Sequence, residues 1–349
     1  MTENNWGLYW VTPALGPEDN CFVVARSSEE AIEPEVGQHE KDFITAERVL
    51  DVPAELQEPA RMAAGETKTI CFPWPGYATD WLIHRLHGEI FLRRTRVVHR
   101  IAGREFERPG LLEATFGKPV NLAESVKDLL DWAQGLEGDG WIFRGQRDAY
   151  WTGTASIRRE PYVQVVQHVG QREVEIRSLR RFKREAQRFL DGMLPANDWE
   201  WLAIAQHYGV PTRLLDWTRN PLVALFFSVW GNRGDRDGVV IGFKTQRPPV
   251  DPEVVSPFDI DKIELYLPNH LAPRVAAQDA LFTAEPDSDC ESSPGLGRPK
   301  GLYIAADSVL GVKGELYALG MSERTLFPGL QSLGHELARL LRSGSTEYL

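Results

Sequence analysis

The residues from Trp141 to Gln146 carry an apolar stretch straight into an arginine and a glycine. Read as a buried strand, they deliver the Arg144 guanidinium to the end of a sheet. A planar guanidinium fork suits phosphate or carboxylate, which it binds through two parallel hydrogen bonds. Gly145, lacking a Cβ, lets a ligand approach the backbone there. The same spacing also fits a structural arginine paired with a core carboxylate. Downstream, Thr154 to Glu160 gathers Thr154, Ser156, Arg158 and Arg159. A turn of hydroxyls and two cations near Arg144 would suit an anionic ligand.

A second group lies at 206–218. Residues 198–208 read as a helix whose apolar stripe is Trp201, Ile204, Ala205 and Tyr208 at ~100° per residue. Gln206 and His207 fall off that stripe, and Gly209 stands where a helix closes. A polar pair there can face a pocket, with His207 as acid, base or hydrogen-bond donor. A histidine capping the last turn fits as well. Residues 212–215 read as a strand, and Asn220-Pro221 as a helix start with Asn as cap and Pro in the first position. Asp216, Trp217 and Thr218 would then sit in a strand-to-helix turn held from both sides by core. Asp216 either serves a ligand or braces the turn against Arg213 or Arg144.

The elements that must position these residues follow from periodicity. Strands are expected at 6–11, 21–25, 43–50 and 89–98, and a helix at 78–87. A helix start is expected near Ser27. Together these form a small α+β unit over residues 1–115. The charged, Gly- and Pro-rich stretch 104–119 marks the boundary with a second domain, 116–349. That domain opens with an amphipathic helix at 122–136. Strands follow at 238–244, 263–267 and 281–283, with a short helix at 274–278. Gln278 is a polar outlier before the last of these strands. Residues 284–301 read as a surface loop. A terminal helix, 330–341, carries Leu333, Leu337, Leu340 and Leu341 on one stripe, which is expected to pack on the sheet. The fold class is α+β, a mixed β-sheet with packed helices.

Composition narrows the function classes. With 349 residues, 42% of them apolar and 11 tryptophans, the chain can bury a substantial core. A net charge of −11 argues against general nucleic-acid binding. The Arg-rich stretches 93–100 and 172–188 read as solvated faces. Cys21, Cys71 and Cys290 are odd in number and in no CxxC pair, so reduced cytosolic thiols are expected. His84 and His87 lack a third ligand at matching spacing, and no metal is expected. The N-terminal sequence does not read as a signal peptide, and the apolar run 222–230 is far short of the ~20 residues of a membrane span. A cytoplasmic protein without membrane contact is the expectation.

These segments together resemble the FRG domain family. The carrying residues are Phe143-Arg144-Gly145, extended by Gln146, and the long block at 205–228. Arg274, Gln278 and Phe282, and Thr325 to Leu330, add to the match over about 120–342. The family is said to occur in bacterial and phage-linked settings, which implies a toxin or antiviral-defence role. The Phe-Arg-Gly strand is also similar to the Tyr-Arg-Gly strand of arginine-type ADP-ribosyltransferases, whose arginine lies on the NAD phosphates. That likeness implies an ADP-ribosyltransferase-like fold and NAD as substrate. It places Arg144, His207, Asp216 and Gln278 in catalytic roles. Contacts to the nucleotide would come from Phe143, Arg144, Gly145, Gln146, Ser156, Arg158, Gln206, Thr212, Arg213, Trp217 and Thr218, with Trp217 stacking on a ring. Where those enzymes carry a glutamate, this chain has the neutral Gln278, so Asp216 or Asp279 would have to supply the charge. Other readings are a sensor of a nucleotide or phage product, with residues 1–115 docking a partner, and a protein acting on a nucleic-acid target.

Overall fold

The computed structural model describes residues 7–12, 21–28, 45–53, 56, 69–71, 74–76, 88–94, 96–108, 121–151, 153–159, 161–190, 194–269, 273–287 and 299–342. Among the described residues eight short strands come first. β1 (Gly7–Thr12), β2 (Cys21–Ala25) and β3 (Thr45–Asp51) form an antiparallel sheet in the order β2-β1-β3, and β4 (Thr69–Cys71) pairs with β5 (Trp74–Gly76). β6 (Glu89–Arg93), β7 (Arg96–Ile101) and β8 (Arg104–Arg108) form a meander. The expected single strand at 89–98 is thus a hairpin: Arg94 turns the chain with a φ of +45°, and the apolar alternation continues on the returning strand. The helix expected at 78–87, with His84 and His87, and the boundary near residue 115 lie outside the described residues.

The main sheet has seven strands: β9 (Leu122–Ala123), β10 (Trp141–Gln146), β11 (Leu214–Thr218), β12 (Gly238–Lys244), β13 (Glu264–Tyr266), β14 (Ala280–Ala284) and β15 (Lys300–Ile304). Their order is β13-β14-β11-β10-β12-β15-β9. All neighbours are antiparallel except β15 and β9, so the sheet is mixed and the protein α+β. β13 is an edge strand.

Both faces of this sheet are covered. Ile142, Leu215, Trp217, Val239, Ile241, Phe243 and Leu281 share a core with Leu8, Trp10, Val52, Ile90, Leu92, Ile101 and Phe106. The early strands therefore roof one face. On the other face Phe143, Val240, Leu302 and Ile304 pack on the helices Val126–Gln134, Pro221–Val229 and Val309–Ala318. A third cluster seats the helices Gln171–Ala186 and Asp198–His207 on Leu214, Phe282 and Tyr266.

The Pro221–Val229 helix is apolar nearly all round and is buried on most of its surface. Asn220 caps it, accepting the Leu222 amide at 2.9 Å, and Pro221 takes the first turn. The Val126–Gln134 helix is capped by Ser125 in a capping box with Asp128, because Leu122 and Ala123 are drawn into the sheet as β9. The terminal helix Leu330–Arg342 departs from expectation. Leu333 and Leu337 remain 38% exposed and Leu341 61%. This helix leans on the short helix Glu323–Leu326 instead of the sheet, whose helical face is already filled; His335 Nδ1 meets Glu323 at 2.7 Å.

Candidate functional site

β10 and β11 register at a single pair, Phe143 with Thr218. Beyond it they part, and the Arg144 side chain bridges the opening. Its Nη1 donates to the Asp216 carbonyl at 2.7 Å, and its Nε to Gln146 Oε1 at 3.4 Å. The Asp216 carboxylate lies 3.9 Å from Nη1. Gln146 is itself buried and fixed by donating to the Trp151 carbonyl at 2.9 Å. Arg144 is only 14% exposed, whereas Asp216 is 64% exposed. No hydrogen bond from the described residues engages Nη2 of Arg144. Burial strips water from this cation and brings its pKa down to about 10; Asp216 opposes the shift and Arg159 adds to it.

Asp216 was expected in a turn but lies within β11, because Leu215 and Trp217 both point into the core as a strand requires. Its charge is felt by Arg144, Arg159, Arg274 and His207 together. Arg159 sits where the 156–158 turn ends, its Nε donating to the Thr154 carbonyl at 2.7 Å. Arg274, on the helix Pro273–Ala277, stacks its guanidinium 4.3 Å over the Phe327 ring. Burial lowers the pKa of both arginines, and Asp216 opposes this in each. His207, on the last turn of its helix, is held below the usual histidine range by burial and then by Arg274, with Asp216 pulling the other way. Gly209 closes that turn with a φ of +87°.

Arg144 thus lies 3.9 Å from a solvent-facing carboxylate whose charge also reaches Arg159, Arg274 and His207, so three guanidinium groups and an imidazole from four segments share its field. Such a group can hold a multiply charged anion, since guanidinium forks donate to phosphate oxygens more strongly in a desolvated setting.

Other expected contacts are braces. Ser156 and Thr212 are joined twice: the Thr212 amide donates to Ser156 Oγ at 3.0 Å, and the Ser156 hydroxyl to the Thr212 carbonyl at 3.2 Å. The Thr212 hydroxyl donates to Gln206. These bonds tie the turn that carries Arg159 to the segment that carries His207. Thr218 donates to the Gln278 carbonyl at 2.7 Å and accepts the Asn220 amide at 3.0 Å. The Gln278 amide donates to the Leu326 carbonyl at 2.9 Å.

Several expected contacts are turned away from the opening. Arg213 is fully buried, bonded to Glu175 through its backbone amide (2.6 Å) and Nε (2.9 Å), to the Pro257 carbonyl at 2.8 Å and to Asp287 at 2.5 Å. Trp217 is buried against Phe243 and donates to Thr283 at 2.9 Å, so it presents no face for stacking. Phe143 belongs to the helix-side core. Gly145 admits the Pro221–Val229 helix and not a ligand: a Cβ there would lie 1.8 Å from the Ala224 carbonyl oxygen. Arg158 binds Gln171 at 2.7 Å and Glu285 at 2.9 Å, leaving its neighbour Arg159 at the opening.

Residues 139–236 match the family model of the FRG domain. The chain carries an FRG domain. The match holds Phe143-Arg144-Gly145 and the block at 205–228, and it ends before Arg274 and Gln278. No curated protein and no solved structure matches the chain. Within the FRG domain lie Arg144, Arg159, His207 and Asp216; Arg274, on which the Asp216 charge also acts, lies outside the matched residues. The sequence places Arg158 and Arg159 together near Arg144 and brings in Arg274 only through the family resemblance, without telling which of them face the opening. In Arg158-Arg159, successive turn residues point apart, and composition does not tell which one faces the cleft. The pairing of Arg274 with Phe327 spans far too much chain for any local pattern.

Among the described residues no group of three or more His, Cys, Asp or Glu side chains is placed to hold a metal ion. No helix among them is long and apolar enough to cross a membrane. The arginines at 93–100 and 172–188 largely meet carboxylates: Arg93 and Arg100 bind Glu105, Arg177 binds Glu173 and Arg181 binds Glu185.

Proposed function

We propose that the cleft between β10 and β11 binds the diphosphate of a nucleotide, that the nucleotide is NAD, and that the FRG domain acts on it as an ADP-ribosyltransferase or NAD glycohydrolase. The observation that carries this reading is the convergence of Arg144, Arg159 and Arg274 on a single exposed carboxylate. Arginine forks would hold the diphosphate, and Asp216 would face the ribose. In the step itself the bond from ribose C1′ to the nicotinamide nitrogen breaks, and its electron pair leaves with nicotinamide. The cation developing at C1′ is stabilised by the Asp216 carboxylate, an effect worth about 3 kcal/mol in a preorganised site. Water or a protein nucleophile then bonds to C1′ and gives up its proton, with neutral His207 as a candidate acceptor. The family resemblance would set this activity in bacterial conflict or phage defence.

A second reading is a sensor that binds the nucleotide without turnover. The Gln278 amide, held by its bond to the Leu326 carbonyl, supports it, since that residue brings no charge to the ribose. Incubating the protein with NAD and following free nicotinamide separates the two. Release that is lost in Arg144→Ala and Asp216→Ala supports the enzyme. Saturable NAD binding without release, abolished by Arg144→Ala, supports the sensor. No binding and no release would sink both.

A further inference from the structure

We propose that Asp216 is the resting counter-ion of the cleft: its carboxylate occupies the arginine cluster in the free protein and is displaced when a ligand's phosphates arrive. The inference rests on the reading of the cleft as a diphosphate site and adds how that site is kept assembled when empty.

Three observations lead to it. First, Asp216 approaches Arg144 without closing a bidentate pair. Its backbone carbonyl takes Nη1 at 2.7 Å, while its carboxylate stands off at 3.9 Å. A carboxylate built to neutralise a buried arginine is held close, as Glu175 holds Arg213 at 2.7 Å with both groups essentially buried. Second, Asp216 is 64% exposed beside an arginine that is 14% exposed. The anion faces water and can swing away at small cost, whereas the cation cannot follow it. Third, the charge of Asp216 acts on Arg144, Arg159, Arg274 and His207 at once. Glu285 also acts on Arg159, but it is 20% exposed and bound to Arg158 at 2.9 Å, so it stays in place.

Without Asp216, three neighbouring guanidinium groups would repel one another in a partly dehydrated opening. With it they stand gathered, and the position it holds is one that phosphate oxygens would take. An incoming diphosphate brings two negative charges in place of one. It takes over the arginines and frees the Asp216 carboxylate, which can then face the ribose. Ligand binding and release of the carboxylate from Arg144 are thereby the same event.

The test is calorimetric titration with inorganic pyrophosphate in magnesium-free buffer, using the wild-type chain, Asp216→Asn, Asp216→Ser and Arg144→Ala, with thermal unfolding of each free protein. The expected result has two parts. Asp216→Asn and Asp216→Ser bind pyrophosphate about tenfold more tightly than wild type, because no internal anion competes. The same two variants melt at lower temperature when free and regain the loss with pyrophosphate. Wild-type binding, lost in Arg144→Ala, together with equal or weaker binding in both Asp216 variants overturns the counter-ion role and leaves the diphosphate cleft standing. Tighter binding without a drop in free-state melting temperature also overturns it, because the carboxylate would then only repel ligand. Absence of pyrophosphate binding in every protein, the Asp216 variants included, defeats the cleft reading and this inference with it.

Discussion

Two arginines of the FRG domain, Arg213 and Arg144, behave in opposite ways. Arg213 has a full set of partners, and its removal would strand the Glu175 carboxylate in the interior. Arg213→Met should cost about 3–5 kcal/mol in urea unfolding, the usual penalty for breaking one half of a buried pair. Arg144 is desolvated, incompletely bonded and close to other cations. Arg144→Met should leave stability within about 1 kcal/mol of wild type while abolishing saturable NAD binding. A large stability loss in Arg144→Met would make that residue structural. His207 yields a pH dependence of definite sign. Its pKa is lowered in the folded chain by burial and by Arg274, so the folded state takes up this proton less readily than the unfolded state. Stability from this residue is present above the ordinary histidine pKa and is lost as pH falls through the lowered folded value. A bound polyanion favours the imidazolium, so pyrophosphate affinity should rise over the same interval, and His207→Gln should flatten the rise. Titrations between about pH 7.5 and 5 check this; an unchanged slope in His207→Gln removes the residue from the cleft.

At the scale of elements, the motif glycine acts through helix packing. Gly145 and Gly238 lie on adjacent strands beneath Ala224 and Ser228, one helical turn apart. Added Cβ atoms would stand 1.8 Å from the Ala224 oxygen and 2.4 Å from the Ser228 oxygen. These contacts are with backbone and cannot be relieved by a rotamer change. Gly145→Ala should therefore destabilise by about 3 kcal/mol or more. Gly153→Ala, with nothing within 4 Å of its Cβ, should stay within about 0.5 kcal/mol. Chemical denaturation of the two variants makes the comparison. The elements around the cleft were legible where local chemistry is strong. The Asn220-Pro221 start, the Asp198–His207 helix with its Gly209 stop, and strands β10, β12 and β14 all follow from caps and periodicity. β11 was misplaced because Asp216 and Thr218 read as turn residues, whereas the strand needs only Leu215 and Trp217 to face inward. The buried face of the Asp198–His207 helix is wider than the stripe of Trp201, Ile204, Ala205 and Tyr208. Trp199, Leu202 and Ala203 are buried as well, and Tyr208 is 68% exposed. Side-chain destinations around the cleft depend on which strands part, and that is a tertiary property.

At the scale of the molecule, the early strands and the FRG domain share one core. Leu8, Trp10, Ile90 and Leu92 pack in the same cluster as Ile142, Trp217, Ile241 and Phe243. Polar contacts sew the same boundary. The Asp237 amide donates to the Leu92 carbonyl at 2.5 Å, and the Asp237 carboxylate accepts the amides of Arg94 at 2.8 Å and Ala306 at 2.9 Å. Arg236 binds Asp148 at 3.0 Å and lies 4.7 Å over the Phe91 ring. Each large apolar side chain uncovered on the roofed face costs about 1.5–3 kcal/mol, so several together exceed the 5–15 kcal/mol that stabilises a typical domain. A chain starting at residue 116 should therefore fail to fold to a monomer and should aggregate, although it retains every cleft arginine. The full chain should unfold in one calorimetric transition. Asp237→Ala should lower that transition without splitting it, because the part-buried amide of Arg94 and the buried amide of Ala306 lose their acceptor on both sides of the boundary at once. Two separate transitions in the full chain, or a soluble monomer from residue 116 that binds pyrophosphate, would show that the cleft stands without its roof. In that case the early strands would be free to serve a partner, and the shared apolar core would have to be reconciled with a sheet that tolerates an exposed face of Ile142, Leu215, Trp217 and Phe243.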